Sequence, residues 1–329
     1  MTERTIGSLS VSPTGLGCMN LSSGYGSVDE ETASRVLLGA LDAGVSFFDT
    51  AFMYGGGHNE TLVGKVMQPH RDRFVLATKC GLSTDGIDGR PATIRRQCET
   101  SLKRLQTEVI DLYYLHRVDP QVGIEESVGT MSDLVREGKV RELGLSEVSC
   151  ATLARAQTEH AIAAVQSEYS LWSRTPEHGM LEACRESGVT FVPFSPLGRG
   201  FLAGSAKPVD QLAEDDLRCT IARPRFEPQA FASNAKLLEA FSQVADQQGC
   251  TLAQLALAWL LACEDKRLVP IPGTRSIEHM KDNAAAADIM LSDETVALLD
   301  TLINESNVVG TRYTSARMAT TDSETDLVV

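Results

Sequence analysis

One stretch organises this chain: residues 47–60, which read FFDTAFMYGGGHNE. It begins as an apolar, aromatic run typical of a buried strand, reaches Asp49, and then turns into three glycines that end any regular element. In a parallel sheet, the end of such a strand presents polar side chains to solvent. Tyr54 stands on the turn, so it is the first candidate for a residue that carries chemistry.

The same pattern, a short apolar segment followed by an amphipathic helical segment, recurs along the chain. We predict eight strands, at residues 14–19, 45–49, 74–79, 109–116, 140–146, 162–166, 189–195 and 268–273. We predict helices between them, at residues 29–43, 59–66, 91–105, 124–137, 149–158 and 175–187. Strands that alternate with helices predict a parallel sheet. Eight units in 329 residues favour a closed (β/α)8 TIM barrel. An open sheet should carry a G-x-G-x-x-G turn after its first strand, and residues 15–20 lack it.

The segments outside this repeat also carry predictions. Residues 5–13 are predicted to form an N-terminal hairpin, and extra helices are predicted at 232–248, 252–263, 279–287 and 292–303. Segment 198–229 is long and proline-containing, which predicts a mobile loop over the site. The tail, residues 304–329, is mostly polar, and its last residues are expected to be disordered or loosely docked. We see no boundary and predict a single domain over residues 1–329.

Composition narrows the class of protein. A net charge of −14 argues against nucleic acid or anionic lipid as a partner. The N-terminus shows no signal-peptide pattern and no apolar run is long enough for a membrane span, so we expect a cytoplasmic protein. None of the 8 cysteines stands in a CxxC pair or at metal-ligand spacing. We therefore expect buried free thiols, no disulfides and no metal.

Polar residues end most of the predicted strands: Asp49, Lys79, His116, Ser146, Gln166 and Ser195. Taken singly, Asp49 and Lys79 could be a structural ion pair, His116 a solvated strand end, and Tyr54 a loop anchor. Their coincidence on consecutive strands favours a site. A phenol with a pKa near ~10 is a poor acid, and we expect the Lys79 ammonium, held by Asp49, to lower that pKa. His116 could orient a substrate oxygen. Together they predict a site that donates a proton to a carbonyl oxygen.

At this point the sequence resembles the aldo-keto reductase family. The resemblance rests on Asp49-Thr50-Ala51-x-x-Tyr54-Gly55, on the strand-end Lys79 and on Leu115-His116-Arg117, and it extends from the hairpin to about Asn283. It implies a (β/α)8 barrel that interconverts aldehydes or ketones and alcohols with NADPH and without metal. It also implies that Asp49, Tyr54, Lys79 and His116 are the catalytic residues.

The resemblance implies a cofactor site across the barrel mouth. Ser146 and Gln166 would hold the nicotinamide carboxamide, Phe194 would stack on the ring, and backbone N–H groups of residues 195–200 would wrap the pyrophosphate. Arg275 would pair with the 2′-phosphate, which favours NADPH over NADH. The full implied set is Met19, Asp49, Ser146, Gln166, Phe194, Ser195, Pro196, Leu197, Gly198, Arg199, Gly200, Gly273, Thr274, Arg275, His279, Asp282 and Asn283. Two positions depart from the family: Glu147 replaces a common asparagine, and His279 replaces a frequent arginine.

A small-molecule carbonyl or alcohol is the predicted substrate, and its identity and the oligomeric state stay open. The predicted substrate contacts are Met19, Phe52, Met53, Tyr54, His116 and Trp172, of which Trp172 could equally be core. Two other functions are alternatives. Lys79 could form a Schiff base in an aldolase-type barrel, or the chain could be a non-catalytic, NADPH-binding regulatory subunit.

Overall fold

The structure, a computed structural model, describes residues 3–26, 28–262 and 267–327. It opens with an antiparallel hairpin of β1 (Arg4–Ile6) and β2 (Leu9–Val11). The inward side chains of this hairpin pack against residues of the barrel interior, including Phe47 and Val192. The hairpin contacts the amino end of the sheet, where the Thr190 hydroxyl donates to the Thr5 carbonyl. The hairpin therefore covers the end of the barrel at which the strands begin. The opposite end, where the strands finish, stays open.

In the described ranges, nine further strands follow the hairpin. They are β3 (Leu16–Gly17), β4 (Phe47–Asp49), β5 (Val75–Cys80), β6 (Leu82–Ser83), β7 (Gly86–Ile87), β8 (Ile110–Leu115), β9 (Val140–Ser146), β10 (Ala164–Glu168) and β11 (Thr190–Phe194). β6 and β7 pair only with each other, as a small antiparallel hairpin. The other seven form one parallel sheet in the order β11-β10-β9-β8-β5-β4-β3. Every residue of β8 is buried, as expected for a parallel strand covered on both faces.

The eighth strand of the barrel is the segment 267–273, and prolines interrupt its ladder. On one side, the Val269 and Ile271 N–H groups donate to carbonyls of β11, at 3.0 Å each. On the other side, Gly15 and Gly17 donate to the carbonyls of residues 270 and 272, at 2.9 and 3.2 Å. Residues 270 and 272 are prolines and have no N–H to give, so the segment pairs without forming a regular strand. The predicted (β/α)8 barrel is confirmed, closed through this segment.

The helices surround the barrel and continue beyond it. They are α1 (Glu30–Asp42), α2 (His58–Met67), α3 (Pro91–Leu105), α4 (Ile124–Arg136), α5 (Cys150–Ala156), α6 (Met180–Ser187), α7 (Pro228–Ala235), α8 (Leu237–Gln248), α9 (Leu252–Leu261), α10 (Ile277–Ala285), α11 (Asp293–Leu302) and α12 (Ser315–Met318). Side-chain caps begin several of them: Asp29 accepts from the Thr32 N–H, and Thr251 forms a capping box with Gln254. The helix predicted at 232–248 is two helices, α7 and α8. The predicted helix end at Cys263 lies outside the described residues.

The core follows the alternation of the strands. Along β8, Leu112 and Tyr114 face the barrel interior with the hairpin, while Tyr113 and Leu115 face the layer of helices. Seven cysteines lie in the described ranges and all are free thiols, whereas Cys263 lies outside them. Among the described residues, no helix is both long and apolar enough to cross a membrane.

The loop 198–229 and the tail are both packed on the barrel. The loop consists of short 3-10 turns, and its Leu217 N–H donates to the Gly24 carbonyl at 2.9 Å. In the tail, Arg312 is 4% and Ser323 is 8% exposed. Buried ion pairs of Arg312 with Glu147 and Glu324 therefore hold this part of the tail on the barrel. Disorder or loose docking is predicted for the last residues only, and that prediction is not tested beyond residue 327. Residues 328 and 329 lie outside the described residues.

Candidate active site

The turn that carries Tyr54 is fixed by glycines and by an asparagine. Gly55, Gly56 and Gly57 have φ angles of +57°, +64° and +97°, which residues with a side chain rarely adopt. Asn59 accepts from the Thr50 hydroxyl at 2.6 Å and donates to the Cys18 carbonyl at 2.8 Å. These bonds join the turn to the ends of β3 and β4, so Tyr54 is held at the barrel mouth.

Lys79 and Asp49 form an ion pair on the floor of the mouth. Lys79 Nζ lies 2.5 Å from Asp49 Oδ1, and their side chains are 0% and 2% exposed. The ammonium also donates to the Thr50 carbonyl at 2.7 Å and to the Tyr54 hydroxyl at 3.3 Å. Gln166 Nε2 donates to the second oxygen of Asp49 at 2.8 Å. All three protons of the ammonium are used, and one of them points at the phenol.

The pKa of the Tyr54 hydroxyl shifts in a different direction from the one predicted from the sequence. Burial raises the pKa of the Tyr54 hydroxyl, and the opposing charge of Lys79 does not reverse that rise. Lys79 lowers the pKa of Tyr54 as expected, but the loss of solvent around the phenolate raises it by more, so the pKa as a whole rises instead of falling. Burial alone would lower the pKa of Lys79, but Asp49 and Tyr54 outweigh it and raise that pKa. At neutral pH the site holds a protonated phenol beside a charged ammonium.

His116 lies against the tyrosine and is uncharged. Its ring centroid is 5.8 Å from that of Tyr54, edge to face. Burial, with the charges of Arg117, Lys79 and Arg317, holds the pKa of His116 well below its usual range. Its Nδ1 is buried and has no hydrogen-bond partner among the described residues. Because the uncharged imidazole also lines the cavity beside Tyr54, it can hydrogen-bond an oxygen placed there.

These side chains face a cavity of about 1340 Å³ at the carboxyl ends of the strands. Of the predicted catalytic residues, Asp49, Tyr54 and His116 line the cavity, and Lys79 lies beneath it. Of the predicted cofactor residues, those that line it are Met19, Asp49, Ser146, Gln166, Phe194, Ser195, Pro196, Leu197, Arg199, Gly200, Gly273, Thr274, Arg275, His279, Asp282 and Asn283. Gly198 is buried and does not line the cavity. Ser195 and Arg199 have φ angles of +48° and +57°, so their loop is held in an unusual conformation at the mouth.

Two predicted substrate residues lie away from the cavity wall. Phe52 is covered by the Arg104 guanidinium, 4.6 Å from its ring centroid. Trp172 is 2% exposed and stacks on Phe201 with centroids 4.1 Å apart. Trp172 is therefore a core residue, which was the alternative to a substrate contact in the sequence analysis. Met19, Met53, Tyr54 and His116 do line the cavity.

Glu147 turns away from the mouth, which explains why this position tolerates a carboxylate. Its φ is +56°, and its two carboxylate oxygens accept from Arg312 at 3.0 and 2.5 Å. Ser323 and the Glu168 N–H also donate to it. Burial alone would raise the pKa of Glu147, but Arg312 lowers it to about 2. The carboxylate anchors the tail, and it is not available to a carboxamide.

Several cavity residues were missed by the sequence reasoning: Tyr25, Arg117, Leu217, Tyr313 and Arg317. Arg117 could have been found, because it follows His116 directly. Tyr313 and Arg317 come from the tail, whose polar composition carries no periodic or motif signal. Only the folding of the tail across the mouth brings them there.

Comparison with known proteins agrees with this architecture. A sequence profile described as the aldo/keto reductase family matches residues 13–304. The probable aldo-keto reductase 1 of Glycine max is 42% identical over 310 residues, covering 92% of this chain and 88% of its own. The glycerol dehydrogenase of Gluconobacter oxydans superposes with a TM-score of 0.83 at 27% identity, covering 91% and 94% of the two chains. An aldo-keto reductase of Klebsiella pneumoniae, solved with NADP and acetate, has a TM-score of 0.73 at 30% identity, covering 92% and 95%.

The chain belongs to the aldo-keto reductase family. The resemblance seen in the sequence is thus confirmed, and with it the class of oxidoreductase.

Proposed function

We propose that the protein is an NADPH-dependent reductase of aldehydes and ketones that also oxidises alcohols in the reverse direction. The observation that carries this proposal is the chain of contacts from Asp49 through Lys79 to the Tyr54 hydroxyl, at 2.5 and 3.3 Å. It ends at the wall of a cavity large enough for a cofactor and a substrate together. A cytoplasmic location stays a prediction from the sequence.

In this proposal, Tyr54 gives its proton to the carbonyl oxygen. Because the pKa of the phenol is raised, Tyr54 is protonated before each turnover at neutral pH. The phenolate that forms lies next to the Lys79 ammonium, which stabilises the new charge. Asp49 fixes Lys79 and offsets its charge. His116, which lines the cavity beside Tyr54, orients the carbonyl oxygen.

The residues of the mouth fit NADPH. When bound, NADPH supplies the hydride that reduces the carbonyl carbon. Ser146, the last residue of β9, pairs with Gln166 of the neighbouring strand β10, and both would bond the carboxamide. Phe194 would lie on the ring. The strained loop 195–200 would bind the pyrophosphate through its backbone. Arg275 is exposed at the cavity edge, where a guanidinium pairs with a 2′-phosphate, so NADPH is preferred to NADH.

The proposal is tested by following loss of NADPH absorbance with a panel of aldehydes and ketones. Tyr54→Phe should lower kcat by about 10²–10⁴-fold, the usual contribution of a general acid. NADPH binding, followed by fluorescence quenching, should persist in this variant. Tyr113→Phe is the matched control, because Tyr113 is buried in the outer core and lies outside the cavity lining. Unchanged reduction by Tyr54→Phe would disprove the assignment of the acid.

The two other functions fit the geometry less well. A Schiff-base lysine must lose its proton to attack a carbonyl, and the pKa of Lys79 is raised through Asp49 and Tyr54. Failure of borohydride to trap substrate on Lys79 would agree with our proposal. A regulatory subunit would bind NADPH but turn over no carbonyl compound, so the same panel separates it from a reductase.

A further inference from the structure

Two arginines lie at the end of the cavity that contains His116 and Tyr54. Arg117 follows His116 at the end of β8 and is 7% exposed, and Arg317 lies on α12 in the tail. Both line the cavity. Because Arg317 belongs to the tail, the tail adds a positive charge to this end of the cavity.

Neither guanidinium has a carboxylate partner within the described ranges. Arg117 donates through Nη1 to the His116 carbonyl at 2.7 Å and to the Ser146 hydroxyl at 3.2 Å. Its Nε is buried and has no hydrogen-bond partner. The Nε of Arg317 is also buried and unpartnered, and no protein acceptor meets its other donors among residues 3–26, 28–262 and 267–327. Each guanidinium therefore has N–H donors that could bind a ligand in the cavity.

The nearby carboxylates are already engaged. Glu147 is held by Arg312, and Glu168 accepts from Arg199 at 2.5 Å and from Ser173 at 2.9 Å. Glu324 accepts from Arg312 Nε at 2.5 Å. Arg117 and Arg317 are left as a surplus of positive charge, in a chain whose net charge is −14.

A guanidinium that is withdrawn from water without a carboxylate partner loses hydration that no opposite charge replaces. Arg117 is buried and Arg317 is half-buried. Burial and the neighbouring charge of Arg117 lower the pKa of Arg317, and the more distant charge of Glu147 opposes this shift without reversing it. An anion bound between the two arginines would supply the opposite charge, and guanidinium groups fit planar or tetrahedral oxyanions well.

We propose that Arg117 and Arg317 bind an oxyanion group, a carboxylate or a phosphate, carried by the substrate whose carbonyl lies at Tyr54 and His116. This assignment of substrate class rests on the proposed reductase function. The cofactor is a poor occupant for this end of the cavity. Its phosphates are assigned to the loops 195–200 and 273–275, and the carboxamide assigned to Ser146 carries no charge.

The test compares matched pairs of substrates in the holoenzyme. We would measure kcat/KM for 2-, 3- and 4-carboxybenzaldehyde against their methyl esters, and for glyceraldehyde 3-phosphate against glyceraldehyde. The wild type should prefer at least one anion over its neutral partner by about tenfold or more, as expected for charge-assisted hydrogen bonds. The pair with the larger preference identifies carboxylate or phosphate as the natural group.

Variants then locate the preference. Arg317→Met should reduce the anion-to-neutral ratio by at least about tenfold, whereas Arg317→Lys should retain part of it. Arg185→Met removes one positive charge from an exposed pair with Glu182 and should keep the wild-type ratio. Equal kcat/KM for every pair in the wild type would overturn the proposal, and this result stands even if Arg317→Met does not fold. A wild-type ratio in folded Arg317→Met would overturn it as well. Absence of NADPH-dependent turnover with all compounds would instead refute the proposed function.

Discussion

Two buried ion pairs, Lys79–Asp49 and Arg312–Glu147, stand close to the same mouth and differ in what their cations touch. The four side chains are at most 4% exposed. Lys79 donates one of its hydrogen bonds to the Tyr54 hydroxyl, which faces the cavity. Arg312 donates only to protein groups, namely Glu147, Ser323 and Glu324. A buried cation whose hydrogen-bond donors all go to structural groups, as in Arg312, stabilises the fold. A buried cation that gives one donor to a group on the cavity wall, as Lys79 does, can also support chemistry.

The two pairs also differ in how the chain builds them. Lys79 and Asp49 are 30 residues apart and end adjacent strands, whereas Arg312 and Glu147 are 165 residues apart. The first pair follows from the alternation of strands and helices. The second exists only because the tail returns across the barrel.

The largest expected effect comes from breaking the first pair. In Lys79→Met, no charge would stabilise the Tyr54 phenolate, so kcat should fall by at least about a hundredfold. The lone carboxylate of Asp49 would also cost roughly 3–5 kcal/mol of stability. Stopped-time NADPH assays on protein shown to be folded by circular dichroism measure the first effect, and urea unfolding measures the second. Lys65→Met, at an exposed pair with Glu30, is the control and should change neither. Retention of wild-type kcat by Lys79→Met would remove the distinction between the two pairs.

Breaking the second pair should cost stability and spare turnover. The pKa of Glu147 is about 2 in the folded protein against an ordinary 4.5, so its ionised form contributes roughly 3 kcal/mol to folding. A lowered carboxyl pKa means that this contribution is complete above about pH 4.5 and disappears as the pH falls towards 2.

Glu147→Gln should therefore unfold at lower urea than the wild type at neutral pH, and the gap should narrow below pH 4.5. Glu182→Gln, at an exposed pair with Arg185, is the matched control and should show no gap. A gap that stayed constant down to the acid transition would contradict the role of the charge. A loss of kcat as large as that of Lys79→Met would contradict the comparison itself.

A smaller effect, on cofactor binding, is expected from Arg275 at the edge of the cavity. Arg275 is exposed, so its bond to a 2′-phosphate would be partly screened, and Arg275→Ala should raise the KM for NADPH by about tenfold. The KM for NADH, which has no such phosphate, should stay close to the wild-type value and serves as the internal control. Equal increases for both cofactors would place Arg275 away from the phosphate.

Much of the fold was open to prediction because its signals are local. The predicted strand 140–146 is β9 residue for residue, and the predicted helix 124–137 is α4 with one residue fewer. Glycines 55–57 predicted a turn, and the structure shows why glycine is needed: all three residues have positive φ angles. The prolines of the eighth strand weakened its ladder without hiding its apolar pattern. The split between α7 and α8 was missed, because Lys236 between them keeps helical backbone angles and the amphipathic pattern runs on without interruption.

The site divides along the same line. The sequence by itself determined that Asp49, Lys79 and His116 end consecutive strands, because parallel strands of one barrel must end at one face. Tertiary structure alone decided that Tyr54 is a weaker acid than expected, since its pKa depends on how much solvent the finished mouth excludes. It also decided that Glu147 turns to Arg312 and that Arg317 reaches the cavity. Those contacts join residues far apart in the chain, and no local spacing or periodicity encodes such a pairing.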